Sequence, residues 1–105
     1  MKLVRDCIPQ IIEEDGRVCK WREVADEGEH TIRLRTKMQE EVDEFIKDPC
    51  YEEAADMLEV LKGFCYLHSL DFEVVMNVAE DKRETHGGFE GGIVLEQVLE
   101  RVNKL

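Results

Sequence analysis

Residues 38–59 read MQEEVDEFIKDPCYEEAADMLE, and this stretch decides the architecture. On its N-terminal side Leu34, Met38, Val42, Phe45 and Ile46 recur every three or four positions, the period of a helix with one apolar face. The spacing predicts a helix from about Asp26 to Lys47, ended by Asp48-Pro49. Proline is tolerated in a first helical turn, and Glu52 and Glu53 fall where acids complement the positive end of a helix dipole. A second helix is therefore predicted from about Pro49 to His68.

Working outward, Ser69-Leu70-Asp71 interrupts the pattern and offers a capping side chain. Phe72, Val75, Met76 and Ala79 then predict a third helix reaching about His86. Gly87-Gly88 and Gly91-Gly92 bracket Phe89 in a loop. Beyond it Ile93, Val94, Leu95, Val98, Leu99 and Val102 have helical spacing, so a fourth, shorter helix is expected. Residues 1–25 give no single reading: residues 3–14 suit a helical turn or two around Pro9, and residues 18–24 an extended segment. No strand alternation is long enough to build a sheet, so the expected class is all-α, a bundle of about four main helices in one domain over residues 1–105.

The 105 residues carry 14 Lys and Arg against 25 Asp and Glu, a formal net charge of −11. Such a chain has no basic footprint for a phosphodiester backbone and is repelled by anionic membranes, which excludes simple nucleic-acid and membrane binding. Apolar runs such as Ile93-Val94-Leu95 are far short of the ~20 residues needed to span a bilayer. The opening Met1-Lys2-Leu3-Val4-Arg5-Asp6 is charged where an export signal needs an apolar core. Cys7, Cys19, Cys50 and Cys65 lack Cys-x-x-Cys spacing, so reduced thiols and a cytoplasmic location are expected. Trp21 is expected to pack, and His68, continuing an apolar face, to lie in a core or interface.

The negative charge is not spread evenly. Residues 38–59 hold nine acids and the single base Lys47, which is −8 of the net −11. At ~100° per residue, with Val42 as zero, Glu41 falls at about −100° and Glu44 at about −160°. With Ala54 as zero on the second helix, Glu53 and Asp56 fall at about the same two angles. Each helix thus carries an acidic pair at the same edge of its apolar stripe, and packing the stripes together makes four carboxylates converge. Their repulsion is relieved by a hard divalent cation with oxygen ligands, and Mg²⁺, with Mn²⁺ as a substitute, fits best and points to phosphate chemistry. The plainer reading is a solvated acidic face, which suits Glu40, Asp43 and Glu52 best.

Lys37-x-x-Glu40-Glu41-x-x-Glu44-Phe45 followed by Glu52-Glu53-x-x-Asp56 resembles the paired acidic blocks of the all-α nucleotide pyrophosphatases, the MazG-like and phosphoribosyl-ATP pyrophosphohydrolase-like proteins. Lys2-Leu3-Val4-Arg5-Asp6 with Ile8-Pro9, and Lys82 with Gly87-Gly88-Phe89, are similar to their small single-domain house-cleaning branch. The resemblance covers nearly the whole chain. It implies Mg²⁺-dependent hydrolysis of a noncanonical nucleoside triphosphate between the α and β phosphates. It also implies metal ligands at Glu41, Glu44, Glu53 and Asp56 and phosphate contacts from Lys2, Arg5 and Lys82, with Arg83 adjacent as a further candidate; a carboxylate not fully engaged by the metal, Glu40 or Glu44, is the expected base for the attacking water. The chain departs from the pattern at His86 and at Gly91-Gly92, which stand where basic residues are expected.

The apolar arc of the second helix, with Ala55 and Val60 included, spans about −120° to +100°, wider than a one-sided surface helix requires. A homodimer or a dimer of dimers is expected to cover it. Two other readings compete with the pyrophosphatase: a noncatalytic acidic helical module that binds a basic protein surface, and a phosphoribosyl-ATP pyrophosphohydrolase of histidine biosynthesis.

Overall fold

The computed structural model describes residues 1–101 and contains four helices: α1 (Ile8–Glu14), α2 (Glu27–Lys47), α3 (Tyr51–Leu67) and α4 (Phe72–His86). No strand forms among the described residues, and the class is all-α. The chain divides into two compact units, one of residues 1–72 and one from Glu73 onward.

In the first unit, α2 begins where its sequence places a cap. Asp26 is extended (φ −161°, ψ 178°) and accepts from the Glu29 N–H at 2.8 Å. The Glu29 carboxylate reaches back to the Ala25 N–H at 2.7 Å, a variant of the reciprocal capping box. It is clamped further by Arg22, whose two terminal nitrogens donate at 2.9 and 2.7 Å, and by Arg33 Nε at 2.8 Å. These cations and the Ala25 N–H, with Arg22 foremost, hold the Glu29 carboxyl well below the usual carboxylate range. The irregular segment before α2 is thereby tied to its first turns.

Asp48, Pro49 and Cys50 turn the chain, and α3 packs back along α2 as an antiparallel hairpin. Pro49 lies before α3, with extended Cys50 (φ −150°, ψ 167°) as the N-cap, so the proline stops α2 and does not open α3. Far from the turn the two helices approach closely at Gly63, where a Cβ would stand 3.0 Å from Leu34 Cδ2. Leu34, Val60 and Cys65 are the buried apolar residues among those described. All four cysteines are free thiols.

Several side chains depart from expectation. The buried stripe of α2 runs through Leu34 and Glu41, seven residues apart, while Ile46 is 71% exposed. It is thus rotated by about one residue from the apolar stripe, which carries Glu41 from the edge of the contact to its middle. Leu58 and Leu61 of α3 stay exposed. His68 is an exposed C-cap of α3, not a core histidine; the helix ends there because Ser69 turns left-handed (φ 57°) and the Leu70 N–H reaches back to Cys65 O at 2.8 Å. Trp21 is exposed as well. Residues 1–25, ambiguous in sequence, form the short α1 with Pro9 in its first turn and an irregular segment after it.

In the second unit, α4 ends at Gly87, whose φ of +82° suits the left-handed position after a helix and whose N–H donates to Arg83 O at 2.8 Å. The fourth helix expected over residues 93–102 does not form within the described residues, which have no regular structure from Gly92 to Arg101, and Val102 lies outside them. The reason is physical. Ile93, Val94 and Val98 are β-branched, and a helix of about ten residues is marginal in water unless its apolar face is covered. Here that face is not covered, and Ile93, Val94, Leu95, Val98 and Leu99 are all exposed.

The Glu29 clamp sets a pH dependence. A carboxyl whose folded pKa is depressed adds stability above its unfolded pKa and loses it as the pH falls toward the folded one. Glu29→Gln should therefore lower the melting temperature at pH 7, with the gap to wild type closing as the pH drops below about 4. A gap independent of pH between 7 and 3 would show that the clamp does not act through charge.

Candidate functional site

The site forms on the α2–α3 contact near the turn, within the first unit. Glu41 comes from α2, and Glu53 and Asp56 from the first two turns of α3. Each offers a carboxylate oxygen, and these oxygens lie within 4.8 Å of one another. Glu44, one turn beyond Glu41, is near enough to Glu53 for its charge to raise the Glu53 pKa. The structure thus brings Glu41, Glu44, Glu53 and Asp56 together, as their helical angles imply.

Burial makes this more than an acidic surface. Glu41 is 5% exposed, as buried as Leu34 at 4%. Its Oε2 atom and that of Glu53 are both buried without a hydrogen-bond partner. An ionised oxygen withdrawn from water and left unpaired is costly, so such atoms call for a cation or a proton. Burial is the largest influence raising the Glu53 pKa, followed by the charge of Glu44, the hydrogen bond from Glu44, and the charges of Asp56 and Glu41. Convergent hard oxygen donors, two of them offering a buried atom without a partner, are a donor set that suits Mg²⁺.

Two protein cations touch the cluster. Lys37 Nζ lies 3.2 Å from Glu41 Oε1, one helical turn before it, and 3.8 Å from Glu40. Arg5 reaches from the N-terminal segment, its guanidinium donating to Asp56 Oδ1 at 2.7 Å. Glu40 is half-exposed and tied to Lys37, so of the two expected bases Glu44 is the one in contact with the cluster.

Lys2 and Leu3 form one wall of a cleft of about 540 Å³ whose other wall is α2, with Ile32, Arg33, Lys37 and Glu40 among its residues. That volume lies in the range of small-molecule sites. Lys37 belongs both to the cleft and to the cluster, which makes the two contiguous. Lys82 and Arg83 stand on α4 in the second unit. There Arg83 is engaged by Glu90 at 2.9 Å, and the Glu90 carboxyl is lowered by its own backbone N–H first and by Arg83 next.

Sequence reading missed the site roles of Lys37 and Arg33. The available signal for Lys37 was its i,i+4 spacing to Glu41, which puts an ammonium beside that carboxylate on any helix. Arg33 had the same relation to Glu29.

Compared with protein-family models, with curated proteins and with solved structures, the chain matches none. No helix among the described residues is long and apolar enough to cross a membrane.

Burial of the Glu53 carboxylate, with repulsion from its acidic neighbours, predicts that Glu53→Gln raises the melting temperature of the metal-free protein at pH 7, because a raised carboxyl pKa marks an ionised form that folding disfavours. Millimolar Mg²⁺ should raise the wild-type melting temperature and leave the Glu53→Gln value unchanged. Equal shifts for both proteins would contradict a cation at this cluster.

Proposed function

We propose that the chain is a Mg²⁺-dependent nucleoside triphosphate pyrophosphohydrolase of the MazG-like and phosphoribosyl-ATP pyrophosphohydrolase-like class. In this reading it cleaves a noncanonical nucleotide between the α and β phosphates. The observation that carries the proposal is the pair of buried, unpartnered oxygens on Glu41 and Glu53, grouped with Asp56. The same burial disfavours the acidic docking module, since a carboxylate as buried as Leu34 is not presented to a basic partner.

Glu41, Glu53 and Asp56 would hold the cation, with Glu44 completing the set. Bound there, Mg²⁺ supplies charge neutralisation to the polyphosphate and acidifies an attacking water. The water oxygen bonds to the α phosphorus, the bond from that phosphorus to the oxygen bridging toward β breaks, and pyrophosphate leaves. Glu44, exposed and adjacent to the cluster, takes the water's proton. Lys37 sits between cluster and cleft, where it can meet the phosphate chain while the nucleoside occupies the cleft beside Lys2 and Arg33. Arg5 is a phosphate contact in this reading.

A second copy completes the fold. Leu34, Val60 and Cys65 alone are a small apolar core, while Ile46, Leu58 and Leu61 stand open to water on the hairpin. Burying that face against another copy would supply what the hairpin lacks, as a homodimer or a dimer of dimers. Sedimentation at micromolar concentration should give an oligomer, and Leu61→Glu should dissociate it; a wild-type monomer would contradict this part.

The activity test is pyrophosphate release from a panel of canonical, damaged and phosphoribosyl-linked nucleotides at millimolar Mg²⁺. At least one substrate should be cleaved, EDTA should stop the reaction, and Glu53→Gln should reduce it by about a hundredfold or more. No release from any member by folded protein, or release indifferent to EDTA, would contradict the proposal.

A further inference from the structure

We propose that Arg5 is a built-in counter-ion of the carboxylate cluster, which gives up Asp56 to the divalent cation and then engages the polyphosphate. The inference rests on the metal reading above and concerns how the site is kept ready for its cation.

The two cations on the cluster differ in kind. Lys37 stands on the same helix as Glu41, one turn away, so the helix itself sets the two side chains next to each other. Arg5 belongs to the N-terminal segment, 51 residues from Asp56 in the chain, and only its side chain holds the contact. That pair is at the solvent side, with Arg5 53% and Asp56 40% exposed, whereas Glu41 is at the dry end. An exposed ion pair adds little stability, so a dication competing for the same carboxylate meets small resistance. A guanidinium and a dication on one carboxylate also repel each other, so entry of the ion expels the arginine.

The backbone keeps the released guanidinium nearby. Arg5 O accepts from the Ile8 N–H at 3.1 Å, and α1 follows at once with Pro9 in its first turn, which fixes where the Arg5 side chain starts. A planar fork of N–H donors held beside a cation site is suited to two phosphate oxygens, more so than a lysine ammonium. Arg5 therefore opposes the metal when the metal comes alone and favours the metal–polyphosphate complex. The opposite signs separate this role from that of a structural staple.

The test uses the full-length chain, with circular dichroism and melting to verify folding. Calorimetry measures Mn²⁺ binding alone and then inorganic triphosphate binding under saturating Mn²⁺, for wild type, Arg5→Gln and Arg5→Lys. Arg5→Gln should bind Mn²⁺ about fivefold tighter and triphosphate about tenfold weaker. Arg5→Lys should keep part of the triphosphate affinity and most of the restraint on Mn²⁺. Weakening of both ligands by Arg5→Gln, or Mn²⁺ affinity unchanged in it, would overturn the proposal while leaving the metal site standing, provided Glu53→Gln abolishes Mn²⁺ binding. Absence of Mn²⁺ binding in wild type and variants alike would overturn the metal reading and this inference together. Should Arg5→Gln fail to fold, Arg5→Lys decides: triphosphate affinity equal to wild type overturns the proposal, and a clear loss supports it.

Discussion

The burial of the Glu41 carboxylate between α2 and α3 is the constraint around which the rest of the site is arranged. A two-helix contact is normally cemented by apolar side chains, and here one of its two most buried positions on α2 is an acid. Lys37 compensates one oxygen, the other is buried without a partner, and the hairpin is held elsewhere by the close approach of Leu34 to Gly63. Such an arrangement is poor at stabilising a fold. Under the proposed function, a cation completes the stability of the site and a second copy covers the exposed apolar face.

That view also explains why the apolar stripes and the helix contact do not coincide. Had α2 and α3 met along the centre of their apolar faces, Ile46 and Leu61 would be covered and the acids would lie at the rim in water. The rotation of about one residue sacrifices apolar burial in the single chain and places Glu41, with Glu53 and Asp56 beside it, in a partly dry seam that Glu44 borders. There burial, with the neighbouring acids, raises the Glu53 pKa, and a hard cation gains an advantage over water. The exposed Leu58 and Leu61 are the counterpart of the buried Glu41: one face pays for the other.

Much of this was legible before any coordinates. The three- and four-residue spacing located α2, α3 and α4, and Asp26, Pro49 and Gly87 marked boundaries through their capping and backbone chemistry. Helical angles alone grouped Glu41 with Glu44 and Glu53 with Asp56. Periodicity failed where packing decides: Ile93 to Leu99 have helical spacing, yet no surface covers them and no helix forms. It also could not tell the edge of a stripe from the middle of a contact, nor reveal that Arg5 meets Asp56, since nothing local joins residues so far apart. Lys37, by contrast, was one helical turn from Glu41 in plain view.

The most direct measurement is anomalous scattering from a crystal grown with Mn²⁺. The account predicts one strong peak within coordination distance of carboxylate oxygens from Glu41, Glu53 and Asp56, with the Arg5 guanidinium turned away from Asp56. Well-ordered carboxylates with no peak between them at millimolar Mn²⁺, and Arg5 still on Asp56, would contradict it.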